Sequence, residues 1–257
     1  MTNRTVAKFS RIYIDGYDMS GYTRVLGSLG WEYDDTGEAA LSDGIKNSLP
    51  DACTVSMGTL DAYLDNTATS GLHVIASGAG VERTVMIPIG MGAAPAVGDP
   101  VFCGQFLQTG YQKAEGGGTV GVNVPFGNWS NTADTNVYEQ PWGKLLHANS
   151  AATAANSTDG AGVDNGAGTT KGGFLMYQVF AGDGNATISI DDSDDDGDAD
   201  AYAALVGATS GELDMSSVQY GIVALGKTAT VKRYLRWQLA LNGASTVTFA
   251  LAFVRGR

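Results

Sequence analysis

The last third of the chain constrains its fold most, because it reads as strand after strand. Residues 172–180 open the run, residues 186–190 follow, and residues 230–241 and 245–255 close it. Asn242-Gly243 joins the final two segments, and this dipeptide accepts positive φ and favours a tight hairpin. Little acid–base or nucleophilic chemistry lies within the run. It predicts an antiparallel β-scaffold, a part that builds something rather than one that catalyses.

The 257 residues suffice for one large all-β domain or two small ones. Low charge (16%) with 36 glycines fits many turns and strands whose flat faces are covered. No stretch approaches the ~20 apolar residues of a membrane helix, so no membrane role is expected. The first residues lack the apolar core of a signal peptide, so the chain is expected to start in a cytoplasm. Cys53 and Cys103 stand far apart and read as reduced and buried. With only two histidines and no CxxC pair, a Cys/His zinc site is not expected. The net charge of −12 argues against tight binding to phosphate backbones. It suits both ordinary solubility and a surface that lets DNA slide past.

Strand-like segments recur through the first half, at residues 11–14, 29–33, 54–57, 72–76, 84–89, 100–106 and 119–124. Helical patterning is confined to residues 38–49, closed by Pro50, and residues 60–65. The fold class expected is all-β, a β-sandwich or β-barrel with one or two short helices. Matching fragments at residues 54–57 and 187–190, and at 119–122 and 246–249, also admit two similar tandem β-halves. Residues 148–173 lack large apolar side chains apart from Val163 and read as a long loop. The expected division is an N-terminal β domain (1–125), a linker with a low-complexity loop (126–172) and a C-terminal β domain (173–257), with one compact unit as the alternative.

The sharpest local signal is acidic. Asp192, Asp194 and Asp196 precede Gly197, and Asp198 and Asp200 continue the series. Oxygens at alternate positions around a glycine turn can wrap Ca²⁺. Ala203 stands where an EF-hand has its bidentate Glu, so two readings stay open: a calcium site using Asp192, Asp194, Asp196 and Asp198, or a solvated hairpin tip. No other cofactor is indicated. Lys232, Arg233 and Arg236 concentrate positive charge on a strand of an acidic chain, which marks Arg233 and Arg236 for ion pairs across a subunit boundary. There is no G-x-S-x-G elbow. His73 and His147 read as packed rather than catalytic. Trp31, Trp129, Trp142 and Trp237 read as core and interface anchors before sugar platforms. An enzyme is not expected.

The C-terminal pattern resembles a known family. A Gly-Gly-aromatic strand, a Ser/Asp-rich turn, residues 202–205, residues 231–236 and the terminal strand 246–255 look like the tails of siphophage major tail (tail tube) proteins. Residues 12–22, followed by 48–52, are similar to the opening of such proteins. The resemblance touches both ends and not the middle. It implies a β-sandwich or barrel with a flanking helix, a homo-oligomeric ring that is a hexamer or a pseudo-hexameric trimer, and rings stacked into a tube. It implies a virion protein assembled in the host cytoplasm beside other phage structural proteins, with DNA passing without specific binding. A capsid decoration or head–tail connector protein and a carbohydrate-binding β-sandwich module are the alternatives.

Overall fold

The computed structural model describes residues 7–38, 47–68, 70–116, 119–129, 140–153, 157–158 and 162–256. The fold is all-β, and every strand pair is antiparallel. The largest sheet runs Gln219–Ala224, Gly173–Gly182, Val247–Arg255, Trp142–Ala152, Pro100–Gln108, Phe126–Trp129, Asn47–Met57, Leu29–Glu38. Val81–Pro88 also pairs with Pro100–Gln108, and Tyr13–Ile14 pairs with Val81–Pro88. A four-stranded sheet (Thr23–Leu26, Leu60–Tyr63, Thr119–Val124, Gln112–Gly116) covers the N-terminal part. A five-stranded sheet, built on Tyr234–Leu241, Asn185–Ser193 and Ala203–Asp214, covers the C-terminal part.

The period-two pattern explains this layering. In Val247–Arg255, the side chains of Val247, Phe249, Leu251 and Phe253 enter the core shared with Ile188, Ile190, Leu235 and Trp237. The alternate residues Ala250, Ala252 and Val254 enter a second core with Phe174, Met176, Met86, Val101 and Cys103. A third core lies under the four-stranded sheet, around Leu60, Val85, Ile87, Phe102 and Phe106. The central strands are therefore apolar on both faces, which produces near-continuous hydrophobic runs.

Several sequence expectations are corrected. Residues 72–76 were expected as a strand, but Leu72–Ala76 is an α-helix. Its buried residues are Leu72 and Ala76, one helical turn apart, while Val74 is exposed. A five-residue apolar run cannot separate that period from a strand's. The expected helix at 60–65 is instead the strand Leu60–Tyr63, with Leu60 and Ala62 buried on alternation. The expected helix at 38–49 has strand at both ends, Glu38 pairing with Asn47; residues 39–46 lie outside the described residues. Residues 126–172 are not a linker between two β domains. Phe126–Trp129 and Trp142–Ala152 are strands of the large sheet, and Val163–Asp164 pairs with Tyr234–Leu241. Small residues such as those at 148–152 are tolerated there because the partner strand supplies the apolar bulk, Ser150 facing Phe249 and Ala152 facing Val247. The fragments that matched across the two halves lie in non-equivalent places: Thr119–Val124 in the four-stranded sheet, Val247–Arg255 in the middle of the largest.

One buried polar network ties the parts of the large sheet together. Gln178 is fully buried; its Nε2 donates to the Thr84 carbonyl at 3.1 Å and its Oε1 accepts from the Gly16 N–H at 2.5 Å. Beside it the Asp15 carboxylate accepts from Thr84 N (2.8 Å) and Arg83 Nη1 (2.9 Å). Arg83 continues to Gln108 Oε1 and the Ile75 carbonyl, and Gln108 to the Ala76 carbonyl, which holds the short helix against the sheet. Asp15 and Gly16 both have positive φ (50° and 82°). A Cβ on residue 16 would lie 2.9 Å from that of Val218, so glycine is required there. We predict that Gln178→Leu, which orphans the buried Gly16 N–H while Thr84 O keeps its bond from Asp15 N, lowers unfolding stability by about 2 kcal/mol. Urea denaturation checks this, with Val206→Ala at an exposed site costing less than about 0.5 kcal/mol.

Candidate functional site

Charged chemistry concentrates on the outer surface of the five-stranded sheet. Tyr234–Leu241 turns Leu235, Trp237 and Leu239 into the core, which leaves Arg236 and Gln238 pointing outward beside Asn185–Ser193. Register places Asp191 opposite Arg236, and the two form a cross-strand pair at 3.1 Å. Gln238 Nε2 donates to the same Asp191 oxygen at 2.6 Å. The Arg236 guanidinium lies 4.1 Å from the centre of the Tyr202 ring. Tyr202 in turn donates its hydroxyl to Asp196 at 2.6 Å.

The acidic turn is held by its own backbone. Ser193 Oγ accepts from Asp195 N and Gly197 N and donates to the Asp200 carbonyl. The Asp195 carboxylate accepts from the backbone N–H groups of Asp198, Ala199 and Asp200. These bonds to the ionised form hold Asp195 below the ordinary carboxylate range. Asp196, at positive φ, accepts from Tyr202 and from Gly162 N, and is held low by the tyrosine bond first. Asp200 accepts Lys232 Nζ at 2.7 Å, which lowers its pKa and raises that of Lys232.

The four aspartates expected to share calcium therefore do not converge. Asp192 lies on the core side of its strand, 6% exposed, where its carboxylate accepts the Lys232 N–H at 2.9 Å and burial raises its pKa. Asp196 is turned toward Tyr202, and Asp194 and Asp198 sit at other points of the turn. Among the described residues no three His, Cys, Asp or Glu side chains form a group able to hold a metal. Asp195, absent from the expected ligand set, is the organising residue. Its position two residues after Ser193 and just before Asp196-Gly197-Asp198 was the available signal, since such side chains fold onto nearby N–H groups.

Arg233 and Arg236 were expected to reach a neighbouring subunit. Within the chain each has a carboxylate partner. Arg233 grips Asp164 with both Nε and Nη2 (2.8 and 2.7 Å) and lies over Tyr234, and Arg236 takes Asp191. Asp164 comes from the segment read as a loop, so its pairing was not legible from spacing. The Arg233 bond holds Asp164 well below the ordinary range. His147 is buried, stacked on Phe249 at 4.0 Å and edge-on to Trp237, with Nδ1 against the Phe249 carbonyl. His73 meets the Tyr111 hydroxyl at 2.9 Å. All four tryptophans are buried or half-buried against aromatic neighbours, not laid out as open platforms. No helix among the described residues is long and apolar enough to cross a membrane.

No protein-family model matches the chain, and no curated protein matches it. Among solved structures it is similar to the SPP1 Dit (gp 19.1) protein, described as a paradigm of the hub adsorption apparatus in Gram-positive infecting phages. The identity is 11%, the coverage 95% of this chain and 99% of that one, and the TM-score 0.35. A likeness that slight carries no argument about fold or function.

Two predictions follow from the geometry. Chelation by EDTA and addition of millimolar calcium leave the thermal midpoint unchanged, because backbone N–H groups already occupy the Asp195 carboxylate; differential scanning calorimetry checks this. Asp164, Asp195, Asp196 and Asp200 have folded pKa values below the unfolded 3.8. Their contribution is thus fully present above pH 3.8 and is lost as pH falls through the depressed folded values. Carboxyl NMR titration is expected to place the midpoints of all four below 3.8.

Proposed function

We propose that the chain is a self-assembling, non-enzymatic structural protein of a tailed-phage virion, whose copies close into rings that stack as a tail tube. The observation that carries the reading is an edge with no partner strand among the described residues. Ala203–Asp214, twelve residues long, ends the five-stranded sheet, and its only charges are Glu212 and Asp214 near one end. Val206 in it is 88% exposed. Gln219–Ala224, with exposed Tyr220, ends the large sheet nearby. Long edges with little charge are normally covered, and a second copy is the partner a ring supplies. The resemblance of both chain ends to tail tube proteins supports the same reading. So does the net charge of −12, which suits a lumen that repels DNA.

In this reading the copies meet edge to edge, the partners are the chain itself and other virion proteins, and the place of assembly is the host cytoplasm. Purified protein viewed by negative stain is expected to form closed rings or short tubes. Val206→Lys, a change at an exposed position, is expected to leave the circular dichroism spectrum intact and reduce ring formation at least about tenfold, roughly the effect of 1.4 kcal/mol per contact. The same preparation is expected to show no retardation of duplex DNA at physiological salt. Persistently monomeric protein, or salt-sensitive DNA binding, overturns the tube reading.

A further inference from the structure

Asn-Gly occurs twice in the chain, at residues 165–166 and 242–243, and the fold treats the two differently. Asn242-Gly243 lies between Tyr234–Leu241 and Val247–Arg255, with both residues exposed. Gly243 has a φ of 106° and open space where a Cβ would stand. The N–H groups on either side, those of Asn242 and Ala244, donate to the Asn185 carbonyl, but no acceptor among the described residues takes the Gly243 N–H. At the other site the Gly166 N–H donates to the Asp164 carboxylate at 2.7 Å. There the half-buried Asn165 ties its amide to the carbonyls of Val163 and Arg233.

The Asn242 side chain also holds a partner. Its Nδ2 donates to Glu212 Oε2 at 3.2 Å and to Thr187 Oγ1 at 3.3 Å, while Asn185 Nδ2 donates to Glu212 Oε1 at 3.0 Å. Two side-chain amides thus clamp one carboxylate of the edge strand Ala203–Asp214. The Asn242 bonds are exposed and lie at the long end of the usual range, so the side chain leaves them easily.

We propose that Asn242-Gly243 is a site of spontaneous deamidation whose product opens the clamp on Glu212. The Gly243 nitrogen loses its proton to solvent and attacks Asn242 Cγ. The N–Cγ bond forms, the Cγ–Nδ2 bond breaks, and Nδ2 leaves as ammonia, which leaves a succinimide ring. Water then opens the ring at either carbonyl, giving aspartate or isoaspartate. One water is consumed and one ammonia released, with no change of oxidation state. Glycine hinders the attack least, having no Cβ, and an N–H without a partner gives up its proton more readily than a bonded one. At Gly166 a charge-assisted bond must break first. Where Asn242 Nδ2 donated to Glu212, the product presents a carboxylate, so a donor becomes a like charge.

The full chain, held in mildly alkaline buffer at physiological temperature and digested at intervals, is followed by mass spectrometry. A gain of about 1 Da is expected at Asn242, with aspartate and isoaspartate forms separated by chromatography. It is expected at least about tenfold faster than at Asn165, the effect of one charge-assisted bond that must break before attack. In urea the two sites are expected to react at similar rates, which assigns the difference to the fold. Asn242→Asp supplies the product charge directly and is expected to lower the thermal midpoint by about 2 °C. The loss is expected to be smaller in the Glu212→Gln background, where no like charges meet. Asn242 intact in the folded chain while it reacts in urea, or Asn165 reacting as fast as Asn242 in the folded chain, overturns the proposal. So does a midpoint that Asn242→Asp leaves unchanged or lowers equally in both backgrounds.

Discussion

Val247–Arg255 is bonded along both edges, to Trp142–Ala152 and Gly173–Gly182, and is apolar on both faces, and the arrangement of the other layers follows from that. A strand with one wet face needs one covering layer, but this one needs two. The five-stranded sheet supplies one through Ile188, Ile190, Leu235 and Trp237. The N-terminal strands supply the other through Tyr13, Met86, Val101 and Cys103. At about 25 cal/mol per Å² of apolar surface, burial of Phe249, Leu251 and Phe253 on one side and Ala252 and Val254 on the other is the main term holding the layers together. Gln178 and Asp15 then fix how they sit, since a buried amide or carboxylate has few acceptable positions.

The polar surface of the five-stranded sheet follows the same economy at short range. Seven aspartates between residues 191 and 200 repel one another unless each finds a positive or donating partner. Asp191 takes Arg236, Asp200 takes Lys232, and Asp195 takes three backbone N–H groups. A metal would supply the same compensation in another way. Here the serine at 193 and the tyrosine at 202 make the turn self-sufficient.

The all-β class was legible because period-two alternation extends over the long strands, and Asn242-Gly243 does join Tyr234–Leu241 to Val247–Arg255, with Gly243 at positive φ. These two strands nevertheless lie in different sheets, so the hairpin expected from the turn is a crossover between layers. A turn residue specifies a local bend, not the partner beyond it. Elements failed where the deciding force was remote. Leu72–Ala76 is a helix because Gln108 and Arg83 bind carbonyls of its last residues. Trp142–Ala152 is a strand because Phe249 and Val247 lie opposite its small residues. At the charged surface the cationic strand was visible, but its partners Asp164 and Asp191 are set by register, which composition does not encode.

The central position of Val247–Arg255 also dictates a timetable. Trp142–Ala152 and Gly173–Gly182 are adjacent in the finished sheet only through residues made some 65 positions or more after both, by the chain distances involved. Until that segment leaves the ribosome, two long apolar strands stand with open edges and bare faces, the state most prone to wrong pairing. The N-terminal core under the four-stranded sheet, built from residues 12–124, does not need that strand, but the two layers that share Val247–Arg255 close only once it has been made.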